Sequence, residues 1–152
     1  MALVLKLCMK GPRAKILVKD LKSVKTALKK GEDVNSIDEG MKTGLMWTMN
    51  YQHNSVARVL LEQPTADLNC IDNNGLTALH WAAISDNVEG VQLLLADPRL
   101  TTPNLKDKLG FTPLMAAMRN NRMNALRELV AHPSIDIDTR NERGESLDDM
   151  VR

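Results

Sequence analysis

The chain has 152 residues, 43% hydrophobic and 26% charged, with a formal net charge of +1, which excludes a disordered protein and fits about one soluble globular domain. Aromatic residues make up only 3% (one Phe, one Tyr, two Trp), so the core has to be built from Leu, Val, Ile, Ala and Met, a palette suited to short, closely packed helices. Two cysteines, Cys8 and Cys70, exclude a disulfide framework; with no Cys/His pairs at zinc spacing they read as free thiols in a reducing compartment.

From the start of the chain, "MALVLKLC" is apolar but short, interrupted by Lys6, and without a small-residue cleavage site, so it does not read as a signal peptide. No apolar run approaches the length of a membrane span. The expectation is an intracellular, cytoplasmic protein, with a nuclear location left open. Residues 1–12 match no later part of the chain, and two placements are open for them: a tail, or a strand laid on the first unit. Over residues 13–37 the apolar set Leu17, Leu21, Val24 and Leu28 recurs at helical spacing, while Lys15, Lys19, Lys22, Lys25 and Lys29 cover the other side. This predicts an amphipathic helix ended by Lys29, Lys30 and Gly31. Charge is uneven. Residues 1–31 hold nine Lys or Arg against one acid, Asp20, whereas the rest of the chain holds eleven bases against eighteen acids. The basic pole is either a solvated helix face or a contact for an acidic protein or membrane surface.

Beyond residue 37 the sequence repeats. "DEGMKTGLMWTM" from Asp38, "DNNGLTALHWAA" from Asp72 and "DKLGFTPLMAAM" from Asp107 share an Asp, a Thr five residues on and a Leu two beyond. "NERGESLDDM" from Asn141 keeps the register, and Thr43, Thr77, Thr112 and Ser146 lie 34, 35 and 34 residues apart. The second halves align too: "VARVLLEQPTADLN", "GVQLLLADPRLTTPN" and "ALRELVAHPSIDID". Each unit predicts a Thr-capped first helix, with Pro113 at its first position in the third unit. A second helix follows, carrying Val56, Val59 and Leu60, then Val91, Leu94 and Leu95, then Leu126, Leu129 and Val130 on its core side. Ala82, Ala83, Ala116 and Ala117 let neighbouring first helices approach, and Gln63-Pro64, Asp97-Pro98 and His132-Pro133 stop the second ones.

This pattern resembles the ankyrin repeat, a unit of about 33 residues with a T-P-L-H-x-A signature. The signature is written here as Thr77-Ala78-Leu79-His80-Trp81-Ala82-Ala83 and Thr112-Pro113-Leu114-Met115-Ala116-Ala117. The resemblance implies an all-α solenoid of helix-turn-helix units joined by β-turn loops, with stability supplied by the interfaces between units. Its expected divisions are a tail or strand over 1–12, a partial capping repeat over 13–37, full repeats over 38–71, 72–106 and 107–140, and a partial C-terminal cap over 141–152. Two departures stand in the first full repeat: Met41 replaces the turn glycine and Gly44 the proline, so its turn is expected to be strained or shifted and the loosest of the set. Asparagines near the end of a unit are sometimes hydroxylated in this family, and Asn35, Asn69 and Asn104 occupy such places.

No residue pattern argues for catalysis. His80 stands where sister units carry Met46 and Met115, so it reads as scaffold, hydrogen-bonded in the turn region, and Trp47 and Trp81 as half-buried spacers. His53 and His132 lack a second ligand at metal spacing, Asp136 and Asp138 fall in a loop, and no phosphate-binding glycine motif is present. Most of the methionines fall on core positions, where they read as gap-fillers. The expectation is therefore no enzyme, no metal and no cofactor. What the resemblance implies instead is protein binding through the turn tips and the exposed side of the first helices. Those positions are Glu39, Gly40, Lys42, Asn73, Asn74, Leu76, Lys108, Leu109 and Phe111 at the tips, and Asn50, Tyr51, Ile84, Ser85, Arg119 and Asn120 at the helix ends. Leu76, Ile84, Leu109 and Phe111 are apolar where water is expected, the usual make-up of an interface, although Leu109 and Phe111 packing on each other is the plainer account. The expected partner is another protein, with nucleic acid and a small-molecule substrate disfavoured and a monomer favoured. Two other readings are a structural segment of a larger protein and an electrostatic tether through the Lys15–Lys30 face.

Overall fold

The computed structural model describes residues 2–9, 11 and 18–151, with the side chains of Val18 and Lys19 left aside. Its helices are α1 (Leu3–Cys8), α2 (Val18–Lys29), α3 (Gly44–Asn50), α4 (Asn54–Leu61), α5 (Ala78–Ile84), α6 (Val88–Leu95), α7 (Pro113–Arg119), α8 (Met123–Ala131) and α9 (Leu147–Met150). They form hairpins stacked in two rows. The first helices α1, α3, α5, α7 and α9 pack one on the next, and the second helices α2, α4, α6 and α8 form the row beside them.

Local sequence explains the starts. Thr43, Thr77, Thr112 and Ser146 each adopt an extended N-cap conformation, and each hydroxyl accepts the backbone N–H three residues on. Leu60, Leu94 and Leu129 are fully buried at matching places in successive second helices, and Ala82, Ala83 and Ala117 are equally buried between first helices. The shared spine follows from that repetition, since a seven- or eight-residue helix is too short to hold itself.

Three expectations need correction. Residues 3–8 are neither tail nor strand but a helix, with Val4, Leu5 and Cys8 buried. It packs on α2 and α3, in the row of first helices; that packing supplies what the isolated segment lacks. Its approach also accounts for Gly44, where a Cβ would lie 3.1 Å from Cys8 Sγ, leaving no room for the proline ring seen at position 113. Val130, placed in the core by periodicity, is 51% exposed, because among the described residues no further second helix follows α8. The methionines are less uniform than expected: Met46, Met49 and Met115 are fully buried, but Met41 and Met123 are largely exposed. Of the predicted amphipathic helix, Val24 and Leu28 are buried and Lys22, Lys25 and Lys29 exposed; Lys15 and Leu17 lie outside the described residues.

The first turn is strained rather than shifted. Met41 has φ +61, the left-handed region that Gly75, Gly110 and Gly144 occupy in the sister turns. Its N–H still reaches the Asp38 carbonyl at 3.0 Å, as Gly75 reaches Asp72 and Gly110 reaches Asp107 at 2.9 Å. Met41→Gly is expected to stabilise the fold by about 1 kcal/mol, the left-handed penalty of a side chain. A urea unfolding midpoint unchanged or lowered in this variant would show that the turn carries no strain.

Candidate functional site

The turn tips are built by one device used four times. Asp38 Oδ1 accepts the N–H groups of Gly40 and Lys42, Asp72 Oδ1 those of Asn74 and Leu76, Asp107 Oδ1 those of Leu109 and Phe111, and Asn141 Oδ1 those of Arg143 and Glu145. Neighbouring tips are then pinned together, Asn73 N–H donating to the Gly40 carbonyl and Lys108 N–H to the Asn74 carbonyl, each at 3.0 Å. Gly75 makes this approach feasible, because a Cβ there would lie 3.1 Å from the Lys108 nitrogen.

His80 is fully buried and links two units. Its Nδ1 accepts the Thr77 N–H at 3.1 Å and its Nε2 lies 2.9 Å from the Phe111 carbonyl. A carbonyl can only accept, so Nε2 carries the proton and the ring is neutral. Burial holds its pKa below the ordinary value of 6.5, outweighing the Phe111 carbonyl and the Asp107 and Asp72 charges that pull the other way. The histidine is scaffold, as its register with methionines implies.

Asn35, Asn69 and Asn104 are braces between units. Their side-chain amides donate to the carbonyls of Thr65, Arg99 and Ser134, each at 2.8 Å, while their oxygens accept N–H groups of Asp67, Thr101 and Asp136. Nucleophile chemistry finds no support: burial pushes the Cys8 thiol up to about 12, and burial together with Asp67 pushes Cys70 up to about 11. Among the described residues no group of three His, Cys, Asp or Glu could hold a metal ion, and no helix is long and apolar enough to cross a membrane.

The residues expected to meet a partner fall into two groups. Toward the start of the stack Lys42 Nζ lies between two indoles, 4.5 Å from the Trp47 ring centre and 4.3 Å from that of Trp81. Tyr51 stacks on Trp47 with ring centres 5.2 Å apart. Both indoles are fixed, Trp47 Nε1–H donating to Asp38 Oδ2 at 2.9 Å and Trp81 Nε1–H to Asp72 Oδ2 at 3.0 Å. Further along, the Arg119 guanidinium lies 4.8 Å above the Phe111 ring. Leu109 beside it is 61% exposed, and a groove lined also by Met118, Glu142 and Met150 runs past them. Leu76 and Ile84 are half-buried on the intervening unit and do not line that groove. Asn73, Asn74 and Lys108 are exposed tips.

The tryptophan pair is what sequence reasoning missed. Its signal was present as a Trp nine residues after the turn Asp in two successive units, but the slot needs side chains from both units.

The family profile "Ankyrin repeats (3 copies)" matches residues 14–107, and "Ankyrin repeat" matches residues 109–139. The chain belongs to the ankyrin repeat family. The putative ankyrin repeat protein YahD of Escherichia coli is 28% identical over 126 residues, covering 82% of this chain and 61% of its own length. An ankyrin repeat-containing protein of Schizosaccharomyces pombe, C6C3.08, is 35% identical over 71 residues, covering 45% of this chain and 30% of its own length. Human neurogenic locus notch homolog protein 1 is 33% identical over 112 residues, 74% of this chain and 4% of that protein. The chain thus spans under two thirds of each of these relatives. Ankyrin repeats are generally protein–protein interaction modules and typically non-catalytic, and the stacked hairpins described above are built as such modules are.

Proposed function

We propose that this ankyrin-repeat protein is a non-enzymatic, monomeric, cytoplasmic adaptor that binds one protein partner across its turn tips and first-helix face. The observation that carries the reading is Leu109, 61% exposed at a tip whose backbone is fixed by Asp107, beside Phe111 and Arg119. An apolar side chain held out on a rigid turn is costly in water and favourable once covered. The aromatic and Arg neighbours are the types that dominate binding energy at interfaces. Lys42, Tyr51, Asn73, Asn74, Leu76, Ile84 and Lys108 supply the surrounding contacts.

The test is Leu109→Ala/Phe111→Ala. With a partner captured from lysate and then purified, titration calorimetry is expected to show a loss of about 2 kcal/mol in affinity. The thermal transition should stay near wild type, as neither Leu109 nor Phe111 belongs to the buried core. Unchanged affinity in the double variant refutes binding through the turn tips and first-helix face.

A further inference from the structure

The two aromatic groups share a property that scaffold packing does not require: each holds a cation against a ring, and among the described residues neither cation forms an ion pair. Lys42 is flanked by Trp47 and Trp81, and Arg119 lies on Phe111. Ion pairs lie elsewhere, among them Arg58 with Glu89, Arg99 with Asp97 and Arg140 with Asp149. The acids of the Lys42 slot are not at liberty: Asp38 and Asp72 each commit Oδ1 to two backbone N–H groups and Oδ2 to an indole. Glu142 and Glu145 line the groove with Arg119, but neither forms an ion pair with it. A ring face attracts a cation and displaces part of its water, but it does not compensate the charge. An incoming carboxylate therefore meets cations that are already placed, so little further side-chain ordering opposes a charge-assisted contact.

We propose that the first-helix face selects its partner by acidic side chains: an extended Asp- or Glu-bearing segment laid across α3, α5 and α7, with one carboxylate on Lys42 and another on Arg119. This rests on the reading of that face as the binding surface and adds the chemistry of what it binds. Neighbouring packed helices sit roughly 8–10 Å apart, so the two cations are separated by on the order of 12–20 Å. At about 3.3 Å per residue that separation spans roughly four to six residues of extended chain. Spacing as well as charge thus distinguishes this face from the run of exposed lysines on α2, Lys22, Lys25 and Lys29.

The probe is a labelled decaglutamate peptide, with decalysine as the comparison. Trp47 and Trp81 are the only tryptophans, so their two indole N–H signals in a 15N spectrum report on the slot directly. Decaglutamate is expected to move both signals and decalysine neither. Lys42→Gln/Arg119→Gln should weaken binding about a hundredfold, the loss of two charge-assisted contacts at roughly tenfold each, and Lys42→Arg with Arg119 intact should keep it. Lys22→Gln/Lys25→Gln/Lys29→Gln should leave the indole shifts in place. Binding that survives Lys42→Gln/Arg119→Gln, or that vanishes only in the α2 variant, overturns the proposal, as do indole shifts caused by decalysine. A purified partner whose affinity depends on Leu109 and Phe111 but ignores Lys42→Gln/Arg119→Gln rejects acidic recognition while leaving the turn tips and first-helix face as the binding surface.

Discussion

Gly110→Ala is expected to lower folding stability by about 3 kcal/mol, combining a left-handed penalty of roughly 1–2 kcal/mol with overpacking of similar size. Gly110 has φ +80, and an added Cβ would lie 2.5 Å from the Glu142 backbone nitrogen and 2.6 Å from its Cγ. A backbone atom cannot swing aside as a flexible side chain does, so the last hairpin has to move away from the third. Gly144 is the internal control. It has nearly the same φ, +76, but open space around it, so alanine there bears only the conformational part, about 1 kcal/mol. Urea unfolding of the two variants separates the terms. If Gly110→Ala is no less stable than Gly144→Ala, close approach of the tips contributes nothing. Because stability in a stack is a sum over neighbour interfaces, the loss should appear first at α9, as faster amide exchange over Leu147–Met150.

His80→Ala is expected to cost about 3 kcal/mol, from a buried cavity and from the Phe111 carbonyl and Thr77 N–H left without their partner. His80→Met should cost less, about 1–2 kcal/mol, because sister positions show that methionine fits the volume while making neither bond. The two differ again with pH. Burial depresses the His80 pKa in the folded chain, so the unfolded chain binds the proton more readily below pH 6.5. The histidine therefore leaves stability intact above pH 6.5 and erodes it as pH falls below that value toward the lower folded pKa. His80→Met removes this slope. The Asp97 carboxyl, held down chiefly by its hydrogen bond to Arg99, acts in a lower window, with stability lost as pH falls below 3.8. Denaturant midpoints of wild type and His80→Met at pH 7 and pH 5 settle the matter: the gap between them should narrow at pH 5. A gap that stays the same means that the ring accepts its second proton without penalty, and one that widens means that the fold favours the charged ring.

What could be read from residue order alone is what recurs at fixed spacing or acts within one turn. The Thr43, Thr77 and Thr112 caps need only a hydroxyl and a nearby N–H, and Leu60, Leu94 and Leu129 repeat with the period of the units. The helix at Leu3–Cys8 was not legible, because six residues are helical only by virtue of the helices they pack on. Val130 shows the converse: periodicity says inward, but its cover depends on a neighbour that the described chain does not supply. At the candidate surface, the exposed Leu109 followed from its place in the turn. The Lys42 slot did not, since it joins a turn residue, its own helix and the helix of the next unit.

The asparagine braces have a mechanical corollary. Asn35, Asn69 and Asn104 each tie one loop to the next, so among the described residues these braces link neighbours and do not run from end to end. Under tension applied at its termini the protein should lengthen like a spring and then shed hairpins singly, each rupture at low force. A binder gripping several tips at once would act as a splint, raising the force of the first rupture without altering the hairpins themselves.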